Sequence, residues 1–302
     1  MKTAFDAAKR PKKHGDRFDG SYLRELDAMH KFMPLLYPGR CDNEAYISVD
    51  VDLTNIDKYL EKKNEVELQR GDDAFKYTLF HLVVTALLRT MTLRPKLNWF
   101  IANKRMFARK NLVASFVVKK KFSDTSEEAL AIVEAQPQDN VDTIHEKIRD
   151  VVFKSRSDTE VDGSTASMNM VGKLPFPILR FFVWFVRVLD RHGHVPRSFI
   201  ESDPYYTSVV LSNLGSIKLK CGYHHLTNWG TNSLFVIIGE MKKRPVYDDE
   251  GNFEMHNTVE LGITIDERLA DGYYYSKSIR LLKKLLENPE LLEEEMTKDV
   301  EY

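Results

Sequence analysis

The chain has 302 residues, with 44 Lys plus Arg against 45 Asp plus Glu and a formal net charge of -1. No global basic field exists to hold nucleic acid. Hydrophobic residues make up 43% and charged residues 29%, which excludes extensive disorder and leaves enough material for a real core. The two cysteines, Cys41 and Cys221, are too few for a disulfide scaffold or a cysteine-rich zinc site, so a reducing, cytoplasmic setting is the expectation.

The first 17 residues carry Lys2, Lys9, Arg10, Lys12, Lys13 and Arg17 against Asp6 and Asp16. They have no apolar stretch and so are no secretory signal. They read as a mobile basic arm, with an acidic partner as the sharper alternative. Ile47, Val49, Val51 and Leu53 alternate with Ser48, Asp50 and Asp52, the pattern of a half-buried strand over 47–53. Asn55 or Asp57 can cap a short helix reaching Lys62. Asp72 and Asp73 are expected to open a longer helix carrying Phe75, Leu79, Leu82, Val83, Ala86 and Leu87, which Arg94-Pro95 stops.

Ala114–Phe122 and Ala129–Ala135 read as strands. Asn140 can cap a helix with Val141, Ile144, Ile148 and Val152 on its apolar face. Phe176–Leu189 is the most apolar stretch. Arg180 and Arg187 interrupt it, and its longest unbroken run, Phe181–Val186, falls far short of the roughly 20 residues a membrane span needs. A packed helix or subunit contact is the leading reading; a cover over an acyl pocket and a membrane-surface helix are the others.

Val209–Leu211 and Leu234–Ile238 are short continuous apolar runs, as in strands buried on both faces. Val259, Leu261, Ile263 and Ile265 alternate with Glu260, Gly262 and Thr264. A last helix places Tyr275, Ile279, Leu282 and Leu286 on one face, and Asn288-Pro289 ends it. The acid-rich end from Glu287 reads as a solvated helix and a frayed terminus. The order of elements has no regular βαβ beat, so the expected class is α+β, helices covering a mostly antiparallel, mixed sheet.

Two segments leave strands with unusual chemistry. One is SNLGS, Ser212–Ser216; the other is DERLADG, Asp266–Gly272, followed by LLENPELL at Leu285–Leu292. Together with RPKLNW (Arg94–Trp99) and VIIGEMKKRPV (Val236–Val246), in that order, they resemble the catalytic core of the dihydrolipoyl acyltransferases of 2-oxo acid dehydrogenase complexes. That core shares its two-layer fold with chloramphenicol acetyltransferase. The resemblance covers residues 45–295, is strongest toward stand-alone bacterial members, and leaves 1–44 as an arm and lead-in and 296–302 as an acidic tail.

The resemblance implies a homotrimer with its active site between subunits. There a coenzyme A thioester, as co-substrate, meets an acceptor. In the family pattern DHRxxDG the His is the general base, and a hydroxyl at the strand leading into SNLG stabilises the oxyanion. Here the His position is Glu267, while Asp266, Arg268, Asp271 and Gly272 persist. A thiol of pKa ~8.5 losing its proton to a carboxylate of ~4.3 rather than an imidazole of ~6.5 costs roughly 3 kcal/mol more. That is about a hundredfold in rate, which burial of the Glu could recover. His224 and His225, in CGYHHLTNWGT, are candidate substitute bases, since strand neighbours point to opposite faces. Ser212 is the leading oxyanion donor and Ser208 the second, with Asn213 and Gly215 shaping the turn.

Residues 1–45 are too few for a lipoyl domain, so no covalent lipoyl group is expected and the acceptor should be small and free. No metal site is expected. The rival reading is a catalytically lapsed trimer acting as a binding or scaffold protein.

Overall fold

The computed structural model describes residues 2–119, 128–156 and 172–302. The elements are α1 (Asp6–Lys9), β1 (Gly20–Tyr22), α2 (Ala28–Leu36), β2 (Glu44–Asp52), α3 (Thr54–Glu67), α4 (Leu79–Leu93), β3 (Trp99–Ala102), β4 (Arg105–Arg109), β5 (Leu112–Lys119), β6 (Glu128–Ala135) and α5 (Val141–Arg156). They continue with α6 (Phe176–His192), α7 (Arg197–Ser202), β7 (Val209–Asn213), β8 (Leu234–Ile238), β9 (Lys242–Tyr247), β10 (Phe253–Asp266) and α8 (Gly272–Glu287).

The main sheet runs β2-β10-β8-β7-β5-β6, with β9 paired to β10; β1, β4 and β3 form a small second sheet. β5, β7 and β8 run parallel and the other pairs antiparallel. The class is α+β with a mixed sheet, as expected. One face meets α3, α4, α5 and α8 in a single core holding Val51, Leu82, Leu88, Ile144, Leu211, Val236, Leu261, Leu281 and Leu285. The alternation on β10 decides which side chains take part. Val259, Leu261, Ile263 and Ile265 enter this core, so Glu260, Gly262 and Thr264 face the other way.

Several sequence expectations shift. α3 begins at Thr54 because the Asp52 carboxylate accepts from the Thr54 N–H and hydroxyl; neither Asn55 nor Asp57 caps it. Asp72 and Asp73 do not open α4. Gly71 adopts a positive φ of 66° and kinks the chain, and α4 starts at Leu79, capped by Thr78, whose side chain and that of His81 form a reciprocal capping box. His81 is therefore buried, and its side chain belongs to the helix cap. Asn140 caps α5 through the N–H groups of Asp142 and Thr143, as its position predicts. The strand expected to reach Phe122 is seen to Lys119; its end lies outside the described residues.

The N-terminal segment is not a free arm. Ala4, Phe5 and Ala7 are buried, and the buried Arg17 guanidinium bonds Asp19 and Asp190. The acidic end is not frayed either: Leu292 and Met296 are buried, and the buried Arg89 bonds the Leu291 and Lys298 carbonyls and the Glu294 carboxylate.

Candidate functional site at the two strand exits

The DERLADG turn is set by a buried carboxylate. Asp266 is fully buried and takes two bonds from the Arg268 side chain, at 2.8 and 2.6 Å, in a bidentate pair. Arg40, a residue with no sequence signal beyond its type, approaches the same carboxylate at 3.8 Å and donates to the Thr227 and Gly230 carbonyls. Burial lowers the Arg40 pKa from its usual value, and Asp266 opposes that. The Asp266 carbonyl accepts from the Tyr275 hydroxyl, and the Asp271 carboxylate caps α8 by accepting from the Tyr274 N–H. Asp266, Arg268 and Asp271 thus hold the turn, and Glu267 is what it presents. Its N–H donates to the Asn43 carbonyl at 3.0 Å, and its side chain is exposed. The carboxylate makes no hydrogen bond or ion pair among the described residues.

The SNLGS turn is built by close approach. The Asn213 side chain accepts from the Ser216 N–H. Gly215 is not at positive φ; Lys218 takes that conformation, at 59°. Gly215 is required by space, because a Cβ there would sit 2.5 Å from the Gly239 carbonyl oxygen. Ser212, half-buried, stands on the face away from the helices, in line with Val210 and with Ile237 of β8. Ser208 drops out as an oxyanion donor: it is fully buried, and its hydroxyl accepts from the Val113 N–H to lock β7 to β5.

His224 and His225 lie in a segment without strand structure, so they do not point to opposite faces. Their rings stack on each other at 4.4 Å, and His224 stacks on Phe235 at 4.2 Å. Phe235 pairs with Val210, so His224 covers the same sheet face as Ser212, two residues further along β7. Its Nδ1 bonds the His225 carbonyl at 2.7 Å, which leaves Nε2 as the basic nitrogen. This segment packs closely on the sheet. A Cβ on Gly262 would lie 2.0 Å from the Gly222 oxygen, and one on Gly239 would meet Cys221. Burial pushes the Cys221 thiol up to about 11, so it is no nucleophile at neutral pH.

The register fixes the distance between the two turns. Ser212 pairs with Ile237, and Ile237 pairs with Gly262. β10 runs opposite to β7, so its exit lies at the other end of the sheet. Glu267 is five residues beyond the level of Ser212, about 17 Å at a rise of ~3.4 Å per residue. One chain cannot bring the two side chains together.

Among the described residues no group of three or more His, Cys, Asp or Glu is placed to hold a metal ion, and no helix is long and apolar enough to cross a membrane. Residues 203–293 match the family model of the 2-oxoacid dehydrogenases acyltransferase (catalytic domain), a span that contains both turns. Among curated proteins none matches the sequence.

Solved structures share the fold at low identity. A probable dihydrolipoamide acetyltransferase from Listeria monocytogenes 4b F2365 is 14% identical, with a TM-score of 0.58 over 89% of this chain and 95% of that one. The dihydrolipoamide acetyltransferase of Azotobacter vinelandii, studied for the catalytic roles of a serine, a histidine and an asparagine, is 14% identical, with a TM-score of 0.57 over 89% and 94%. A chloramphenicol acetyltransferase is 12% identical, with a TM-score of 0.56 over 88% and 99%. In residues 203–293 the chain therefore carries the catalytic-domain signature of the 2-oxoacid dehydrogenase acyltransferases, on a fold shared with those cores and with chloramphenicol acetyltransferase.

Proposed function

We propose that the protein is a coenzyme A-dependent acyltransferase whose active site forms between copies of a homotrimer, Ser212 of one copy facing Glu267 of the next. The observation that carries this is the register. Two well-supported turns, one at half-buried Ser212 and one presenting exposed Glu267, stand at opposite ends of one sheet, too far apart to act together in a single chain. The fold relatives include an acetyltransferase studied for a serine and a histidine, and here the corresponding chemistry falls to Ser212 and to Glu267, His224 or His225.

In the reaction, the base takes the proton from a small acceptor's hydroxyl, thiol or amine as it attacks the thioester carbonyl. The Ser212 hydroxyl donates to the oxyanion. The intermediate then collapses, the carbon–sulfur bond breaks, and the thiolate of coenzyme A leaves and recovers a proton from the protonated base. A carboxylate can serve as that base when the neighbouring copy buries it and raises its pKa. His224, with Nε2 free, is the other group placed on the Ser212 face.

The test is thiol release from acetyl-CoA against a panel of alcohols, thiols and amines, with mass determination in solution. Ser212→Ala and Glu267→Ala should each lose release, and co-refolding the two variants should restore part of it, because mixed trimers contain interfaces with both native residues. Full release by Glu267→Ala moves the base to His224 or His225, and His224→Gln and His225→Gln then decide between them. No release by the native protein over the whole panel would leave the scaffold reading, which one observation favours: the Glu267 carboxylate has no hydrogen-bond or ion-pair partner among the described residues.

A further inference from the structure

A second basic feature lies in the helix layer, away from the Ser212 face. An open cleft of about 680 Å³ is bounded by the N-terminal segment, the turn between α4 and β3, and the first turn of α8. Its cations are Lys2, Arg10, Lys13, Arg24, Arg94 and Lys96, against one acid, Glu25. Among the described residues none of the six has an ion pair. The comparable cleft beside α6 differs: there Arg40 and Arg268 share the Asp266 carboxylate, and Asp42 and Asp190 add two acids to the lining.

The wall of the cleft is organised. The Arg94 guanidinium lies 3.9 Å over the Tyr274 ring and bonds the Tyr274 carbonyl and the Ser278 hydroxyl. The Tyr274 hydroxyl accepts from the Lys96 N–H, and the Lys96 ammonium sits 5.2 Å from that ring and 5.7 Å from Trp99. The Trp99 Nε1 is buried with no hydrogen-bond partner. Such stacking fixes cationic heads against aromatic faces and lowers the entropy of holding them for a ligand. Asp16 attracts Arg10 from beside the cleft, but cations outnumber acids round the concave surface, and the field concentrates there even though the whole chain is near neutral.

We propose that this cleft binds a phosphate-rich anion, either a nucleotide polyphosphate or inorganic polyphosphate, independently of acyl transfer. Several phosphate groups match the spread of cations, and Trp99 and Tyr274 offer ring surface to a base. Because Tyr274 is also the residue capped by Asp271, an occupant would rest against the DERLADG turn without touching Glu267.

The experiment is calorimetric titration of the full chain with sodium tripolyphosphate, ATP and adenosine at low and moderate salt. The double variant Lys13→Glu/Arg24→Glu changes two exposed residues, and Lys58→Glu/Lys62→Glu makes the same charge change on exposed positions of α3. Tripolyphosphate and ATP should bind and adenosine should not; added salt should weaken both. The cleft variant should lose about tenfold or more in affinity, and the α3 variant should keep it. ATP binding tighter than tripolyphosphate, with a change in Trp emission that Trp99→Phe abolishes, identifies a nucleotide; equal binding identifies inorganic polyphosphate. No binding to the native protein at millimolar anion, or equal loss in both double variants, overturns the proposal.

Discussion

The two faces of the main sheet are finished to different degrees. The helix-covered face is a closed core: one contiguous cluster runs from α3 to α8, and the buried Arg89 beside it reaches three acceptors through its terminal nitrogens. The opposite face has a small cluster of Val210, Leu226, Phe235 and Ile237 under the segment that carries His224 and His225. Around it Tyr46 is exposed, and Ser48 bonds Glu260. A single chain completes the first face and leaves the second open, and Ser212 is on the open one. The lesson is that stability resides in one face and the candidate chemistry in the other, with the Asp266 network at the strand exit joining them.

Breaking that junction should have the largest effect. Asp266→Ala leaves Arg268 and Arg40 buried with their shared counter-charge removed. A loss of about 3–5 kcal/mol is expected from uncompensated buried charge. Urea unfolding would measure it, and a loss under 1 kcal/mol would mean the carbonyl bonds of Arg40 suffice alone. Next comes the cover on the open face. Gly262→Ala drives a methyl into the Gly222 backbone and should cost about 1–3 kcal/mol while freeing the 219–227 segment to protease. Unchanged cleavage would show that the segment is held elsewhere.

Acid tests the closed face. His81 is buried beside His145, and burial depresses its pKa from 6.5 to about 3, with His145 adding to the shift. A depressed imidazole binds fewer protons folded than unfolded, so ∂ΔG/∂pH is positive between the two values. Stability should be full above about pH 6.5 and fall as pH drops toward 3, by roughly 1–2 kcal/mol between pH 7 and pH 5. His81→Gln should flatten that part of the profile. The same slope in wild type and variant would remove His81 as its source.

The closed face was the more legible in sequence, for a physical reason. Periodic apolar residues report burial against the chain's own helices, so α5, α8 and the 259–265 part of β10 follow from spacing, and β8 from its continuous apolar run. Where local hydrogen bonds decide, spacing misleads: Asp72 and Asp73 look like a helix start, but the Thr78 and His81 pair provides the cap. Motif letters located both turns, yet they did not show that Gly215 serves a close approach, that Ser208 locks two strands, or that the two His rings stack. Arg40 carries no pattern, because its partner is 226 residues away in sequence and only the fold joins them.

The smallest expected change in stability is also the sharpest test of the open face. Ser212 is half-buried, and its side chain makes no hydrogen bond among the described residues, so Ser212→Ala should alter unfolding by no more than about 0.5 kcal/mol. If the hydroxyl donates to an oxyanion across a subunit boundary, the same change should lower thiol release by about a hundredfold, the usual effect of deleting one such donor. Ser208→Ala makes the converse prediction. It removes the acceptor for the part-buried Val113 N–H, so it should cost about 1–2 kcal/mol in stability and leave the chemistry of surviving folded protein nearly unchanged. Two serines four residues apart on β7 and its lead-in then separate the faces: one affects activity without stability, the other stability without activity. A Ser212→Ala protein with native release would place the oxyanion donor elsewhere and take the open face out of the mechanism.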